Sequence, residues 1–159
     1  ELFDQEHRLL LRLGTRFSAS PLELEKPIGN LREEWSRLRA ENAALKDELA
    51  ERTMRDLLAE YPARTIAAQV PHTVLEMVGK RLAEWPGVLA LLVAQAGDKA
   101  RYVLLKHPSR SEDLQAIWEE VLRPLGAKGG GALVKLGVIP LKALHPALLA
   151  FQRHLAQDP

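Results

Sequence analysis

From Ile28 the apolar positions advance by alternating steps of three and four through Leu31, Trp35, Leu38, Asn42, Leu45 and Leu49. This spacing has one regular solution, a single long helix carrying those side chains along one stripe. With Ile28, Trp35, Asn42 and Leu49 at a positions, Glu34, Glu41 and Glu48 fall at g, and Arg32, Arg39 and Lys46 at e. In a parallel pair of such helices Glu34 would face Arg39 and Glu41 would face Lys46 of a second copy, whereas antiparallel self-pairing sets like charges together. Asn42 suits the same arrangement, because an amide at one a position favours the register in which two amides bond, at some cost in stability. Folding back of the preceding helix could also fill the stripe. The sequence therefore predicts a helical hairpin as the base structure, with the rest of the long helix left for self-association into a homodimer.

The preceding helix is read from Phe3, Leu10, Leu13 and Phe17, with Leu9 widening the face, and it should end near Phe17. Ser20-Pro21-Leu22-Glu23 then reads as a capping box with proline at the first helical position. One turn is expected there, with the main helix starting at Pro27, where a missing N–H costs little. Tyr61-Pro62 closes the helical half. Residues 1 to 67 carry two net negative charges and residues 68 to 159 three net positive ones. The predicted division is thus a helical dimerisation segment over 1–64 and a small α/β domain over 65–159.

In the second half, β-branched runs alternate with helical spacing. Thr65 to Val70 reads as a strand and Val74, Val78 and Leu82 as one helix face. Val88 to Gln95 and Ala100 to His107 read as a hairpin turning at Gly97-Asp98-Lys99. A helix carrying Leu114, Ile117, Trp118, Val121 and Leu122, capped by Ser109 or Ser111, should follow. A strand from Ala132 to Val138 and a helix within Leu141 to Leu155 close the chain. The fold class is mixed α/β, an N-terminal helical hairpin or coiled coil followed by a small mixed sheet with helices packed on it.

Composition removes several chemistries. The chain has no cysteine, so disulfides, zinc-thiolate sites, iron-sulfur clusters and thiol nucleophiles are excluded. The five histidines, His7, His72, His107, His145 and His154, form no HxxH, HxxxH or HExxH pair, and neither a metal nor a cofactor is expected. Asp98, His107 and the Ser109/Ser111 pair can be imagined as a nucleophilic set, but a strand end and cap-forming serines explain them more simply, so no catalytic residue is assigned. The longest apolar run, Val88 to Ala94, is far below the roughly 18 residues a membrane helix needs. The reading is of a soluble, cytoplasmic protein, and its start at Glu1 predicts a piece of a longer polypeptide.

Gly126-Ala127-Lys128-Gly129-Gly130-Gly131 is the segment most suggestive of a ligand. Consecutive glycines cost backbone entropy on folding and occur where a positive φ or a close approach is required. The segment lies between a helix and a strand, the reverse of the context a Walker loop or dinucleotide fingerprint requires. It offers open N–H groups beside one lysine, a surface suited to phosphate. Gly126, Lys128, Gly129, Gly130 and Gly131 are the candidate nucleic-acid contacts, with Lys106, Arg123, Lys135 and Lys142 available to extend a basic surface. The alternative is an ordinary loop, or a strand entry where glycine lets another backbone pack closely. Trp35, Trp85 and Trp118 sit at apolar helical positions or a helix end and read as core rather than as base-stacking groups.

The two leading helices, the leucine seam and the late Gly-Ala-Lys-Gly-Gly-Gly together resemble the C-terminal domain of alanyl-tRNA synthetase, a module also appended to long freestanding editing proteins and, in shorter form, to DHH-family phosphoesterases. In that family the motif reads Gly-Gly-Lys-Gly-Gly-Gly with a second glycine pair before the last helix; here Ala127 replaces a glycine and the later pair is reduced to Gly137. The resemblance implies tRNA, tRNA(Ala) in particular, as partner, and dimerisation through the helical part. The family's editing centre, with paired histidines and a cysteine, lies in another domain, which implies no hydrolytic activity for this chain. Two other functions remain open: an oligomerisation scaffold without RNA affinity, and the substrate-binding appendix of a DHH-type phosphoesterase. The long leading helices set the chain apart from the latter.

Overall fold

The computed structural model describes residues 2–157, and the side chain of Phe3 lies outside the described residues. The chain forms two compact units, Glu1–Leu45 and Lys46–Pro159. The first holds helix α1 (Leu2–Phe17), a 3-10 turn (Pro21–Glu23) and the beginning of helix α2 (Glu25–Glu60). Helix α1 stops because Ser18 turns left-handed at φ 51°, and Ala19 N–H returns to Gly14 C=O at 2.9 Å, the six-to-one bond of a Schellman ending.

At the next turn the Glu23 carboxylate accepts from Ser20 N–H at 3.3 Å and from the Ser20 hydroxyl at 2.6 Å. The hydroxyl thus donates to the carboxylate, and Glu23 N–H goes to the Ser20 carbonyl at 2.9 Å instead. The side-chain bond from Ser20, with the backbone bond second, holds the Glu23 carboxyl below its ordinary range. Pro27 falls in the first turn of α2, where the N–H it lacks would have no intrahelical acceptor. The helix starts at Glu25, slightly earlier than the sequence suggests.

Along α2 the seam is open. Trp35 is 60% exposed, and Ile28, Leu31, Leu38, Asn42, Leu45 and Leu49 are exposed with it. The Arg39 guanidinium lies 5.2 Å above the Trp35 ring. Trp85 is exposed as well, so of the three tryptophans only Trp118 joins the packing expected of all of them.

The second unit is built on one five-stranded sheet: β1 (Thr65–Gln69), β2 (Leu89–Ala96), β3 (Lys99–Lys106), β4 (Lys128–Gly130) and β5 (Val134–Pro140), in the order β1-β2-β3-β5-β4. Only β1 and β2 run parallel, joined through helix α3 (Leu75–Ala83); the other pairs are antiparallel. Alternation divides β2 and β3 between two cores. Leu89, Leu91, Val93, Ala100, Tyr102 and Leu104 face helix α4 (Leu114–Ile117), the π turn (Trp118–Leu122) that continues it, and helix α5 (Leu144–Gln157). Ala90, Leu92, Ala94, Val103 and Leu105 face α3 and the end of α2, where Ala50, Met54 and Leu57 are buried. Arg81 of α3 pairs with Asp47, and with Glu51 at 3.1 Å, fixing those two helices together.

Three local expectations are corrected. Helix α4 is capped by Asp113, whose carboxylate accepts from Gln115 N–H at 2.8 Å, because the helix begins at Leu114, past both Ser109 and Ser111; Ser109 instead accepts Gly87 N–H at 3.2 Å. The last strand runs Val134–Pro140 rather than from Ala132. The glycine segment is no loop: Lys128–Gly130 is an edge strand paired with β5.

Candidate nucleic-acid interface

Three of the four glycines of the candidate site, Gly126, Gly129 and Gly131, have a physical reason in the fold. Gly126 ends a 3-10 turn (Arg123–Leu125) at φ 80°, a left-handed cap that favours glycine. Gly129 is paired with Gly137, and Gly137 with Tyr102, so the three form a row across β4, β5 and β3. A Cβ on Gly129 would stand 2.2 Å from the Leu136 carbonyl oxygen and 2.6 Å from the Tyr102 hydroxyl. One on Gly137 would stand 2.1 Å from the Lys128 carbonyl oxygen and 2.6 Å from the same hydroxyl. The buried Tyr102 ring thus lies where two side chains would otherwise be, and its oxygen accepts Trp118 Nε1–H at 2.7 Å. Burial pushes the Tyr102 phenol above its ordinary range, against the smaller opposing effect of the Trp118 bond. At Gly131, φ is 133° and a Cβ would meet the Val134 carbonyl oxygen at 1.9 Å. Only Gly130 in this stretch has open space where its Cβ would be.

The glycines are nevertheless exposed, as is Lys128. The antiparallel register sets Lys128 opposite Val138 and Lys99 opposite Pro140, and Lys142 follows in the 3-10 turn after β5 (Leu141–Ala143). Asp98, Lys99, Gly126, Lys128, Pro140 and Lys142 accordingly line one groove of about 540 Å³, together with Val138, Ile139 and Leu141. Three lysines against one aspartate give its lining residues a positive balance. Lys99 had no signal in the local sequence, since it arrives only through strand pairing.

Two other lysines do not extend this surface. Lys135 is 6% exposed, with its ammonium bonded to Gln115 Oε1 at 2.6 Å and to the Gly131 carbonyl at 2.8 Å. Lys106 points its ammonium at the carbonyls of Arg110, at 3.2 Å, and of Glu112. Both are used to tie loops down. Arg123 is exposed, outside the groove lining.

The imagined nucleophilic set is not assembled. His107 Nδ1 lies 2.8 Å from Ser109 Oγ and accepts Ser109 N–H at 3.0 Å, whereas Asp98 is at the opposite end of β3. Among the described residues no group of three or more His, Asp or Glu could hold a metal ion, and no helix is long and apolar enough to cross a membrane.

No protein-family profile matches the sequence, and no curated protein does. Among solved structures the chain is similar to RecJ from Thermus thermophilus in complex with Mg2+, at 22% identity over 88% of this chain and 21% of that one, with a TM-score of 0.54. It is also similar to exonuclease RecJ bound to manganese, at 19% identity over 87% of this chain and 34% of that one, with a TM-score of 0.56. A third likeness is to the C-Ala domain of Aquifex aeolicus alanyl-tRNA synthetase, at 16% identity over 56% of this chain and 84% of that one, with a TM-score of 0.45. The chain shares the fold of a segment of RecJ and spans about a fifth to a third of those RecJ chains. A match over 88% of the chain takes in much of the leading helices.

Proposed function

We propose that this chain is a noncatalytic nucleic-acid-binding module, the substrate-holding appendix of a larger phosphoesterase of the RecJ kind. The carrying observation is the convergence of Lys99, Lys128 and Lys142 on one groove beside the exposed glycine edge. The ammonium groups would neutralise phosphates, and the side-chain-free edge at Gly130 would let a sugar-phosphate backbone approach the peptide. With no aromatic side chain in the lining on which bases could stack, recognition is of the backbone and its shape. The likeness to RecJ over most of the chain supports the appendix reading.

A second reading, a tRNA-binding module of an alanyl-tRNA synthetase-like protein, is favoured by Lys128-Gly129-Gly130-Gly131 as it stands in the sequence. Gel-shift titration with a single-stranded DNA oligonucleotide and with tRNA(Ala) separates the two. The appendix reading predicts tighter binding of the single strand, the synthetase-like reading tighter binding of tRNA(Ala). In both, Lys128→Ala weakens binding; unchanged affinity for both probes would remove the groove as the site. In either context the exposed seam of α2 would serve self-association, for which the Glu34 to Arg39 and Glu41 to Lys46 complementarity is the support.

A further inference from the structure

Strand β4 is three residues long, contains two glycines and forms the edge of the sheet. Little holds it in place. Pairing with β5 fixes one side, and the Tyr102 ring, lying across Gly137 and Gly129, supports the face toward the helices. The ring is in turn fixed by the Trp118 indole, which donates to its hydroxyl at 2.7 Å from the first residue of the π turn. Such turns are rare interruptions that need a local reason, and the indole's reach to Tyr102 is one such constraint at its start. A packed path therefore runs from Lys128 and Gly129 through Tyr102 to Trp118.

We infer that Tyr102 and Trp118 are positioning residues for the lysine groove: they hold the edge strand that presents Lys128, and the environment of Trp118 changes when a polyanion occupies the groove. The inference rests on the nucleic-acid-binding reading above. Neither residue lines the groove, so neither acts on the ligand directly.

The test uses the full chain with Trp35→Phe and Trp85→Phe, both exposed positions outside the groove, leaving Trp118 as the sole indole. Titration with a single-stranded DNA oligonucleotide should shift Trp118 emission in parallel with binding measured by anisotropy. Tyr102→Phe keeps the ring but removes the bond through which Trp118 fixes it; the emission shift should disappear and binding should weaken about two- to fivefold. Lys128→Ala should weaken binding roughly three- to tenfold for one lost phosphate contact. If Tyr102→Phe leaves either binding or the emission shift unchanged, or if Trp118 emission is unmoved at saturation, the positioning role is overturned and the binding reading stands. If Lys128→Ala leaves affinity unchanged, the binding reading itself falls.

Discussion

Tyr102 stands opposite Gly137 in the pairing of β3 with β5, and its hydroxyl occupies space that a side chain at either Gly137 or Gly129 would need. Two glycines that look like an opening for phosphate are thus, on one face of the sheet, the seat of a tyrosine. Gly129→Ala and Gly137→Ala should each destabilise the fold by about 1–3 kcal/mol, the usual range for overpacking. Gly130→Ala, with nothing within 4 Å of the added methyl, should stay within about 0.5 kcal/mol. Urea unfolding of the three variants checks the contrast, and equal losses at all three would contradict it.

Lys135 is a buried tether rather than part of the basic surface. Its two bonds join α4 to the turn before β5. Lys135→Ala removes both bonds, but Gln115 and Gly131 are exposed and water can replace the ammonium, so the loss should be about 0.5–1.5 kcal/mol. The salt dependence of nucleic-acid binding should not change, whereas Lys99→Ala and Lys142→Ala should each flatten it.

The open seam on α2 predicts association in solution. Sedimentation equilibrium should show a dimer whose stability rises with Asn42→Leu while its stoichiometry becomes less uniform, as replacing a polar a residue does. Reversing Glu34 and Glu41 to lysine should weaken the dimer and restoring the complement with Arg39→Glu and Lys46→Glu should recover it. A protein monomeric at high concentration would show that the seam has no second copy to cover it.

The Glu23 carboxyl is held low by the Ser20 hydroxyl and then by the Ser20 amide. A carboxyl with a depressed folded-state pKa contributes stability above its unfolded value, near 4.5, and loses it as pH falls through the folded value. The turn at Pro21–Glu23 should therefore loosen only in acid, below the ordinary glutamate range. Ser20→Ala should reduce this pH dependence to the part the Ser20 amide supplies, as read from the Glu23 amide and carboxyl signals in NMR.

Periodicity made much of the fold legible. The seam from Ile28 to Leu49, the Leu89–Ala96 and Lys99–Lys106 hairpin, and the Leu114 to Leu122 face needed only local spacing. Strand β4 was legible only as one alternative, a strand entry where glycine admits a close backbone, since Lys-Gly-Gly carries none of the β-branched character by which strands are recognised. The roles of Gly129 and Gly137 were hidden for another reason: they depend on Tyr102, distant in sequence and adjacent only through strand pairing. The same pairing brings Lys99 and Lys142 to Lys128, while a loop-tying bond turns Lys135 inward. Lysine positions alone carry no information on which of them point outward.

The groove is most directly tested by the salt dependence of binding. Affinity for a single-stranded DNA oligonucleotide, measured by anisotropy across a series of monovalent salt concentrations, should fall linearly on a log–log plot. For Lys99→Ala/Lys128→Ala/Lys142→Ala the slope should be shallower by about two, since each lost phosphate contact removes about 0.7 on a single strand. A triple variant with the wild-type slope and affinity would show that nucleic acid, if bound, is held elsewhere.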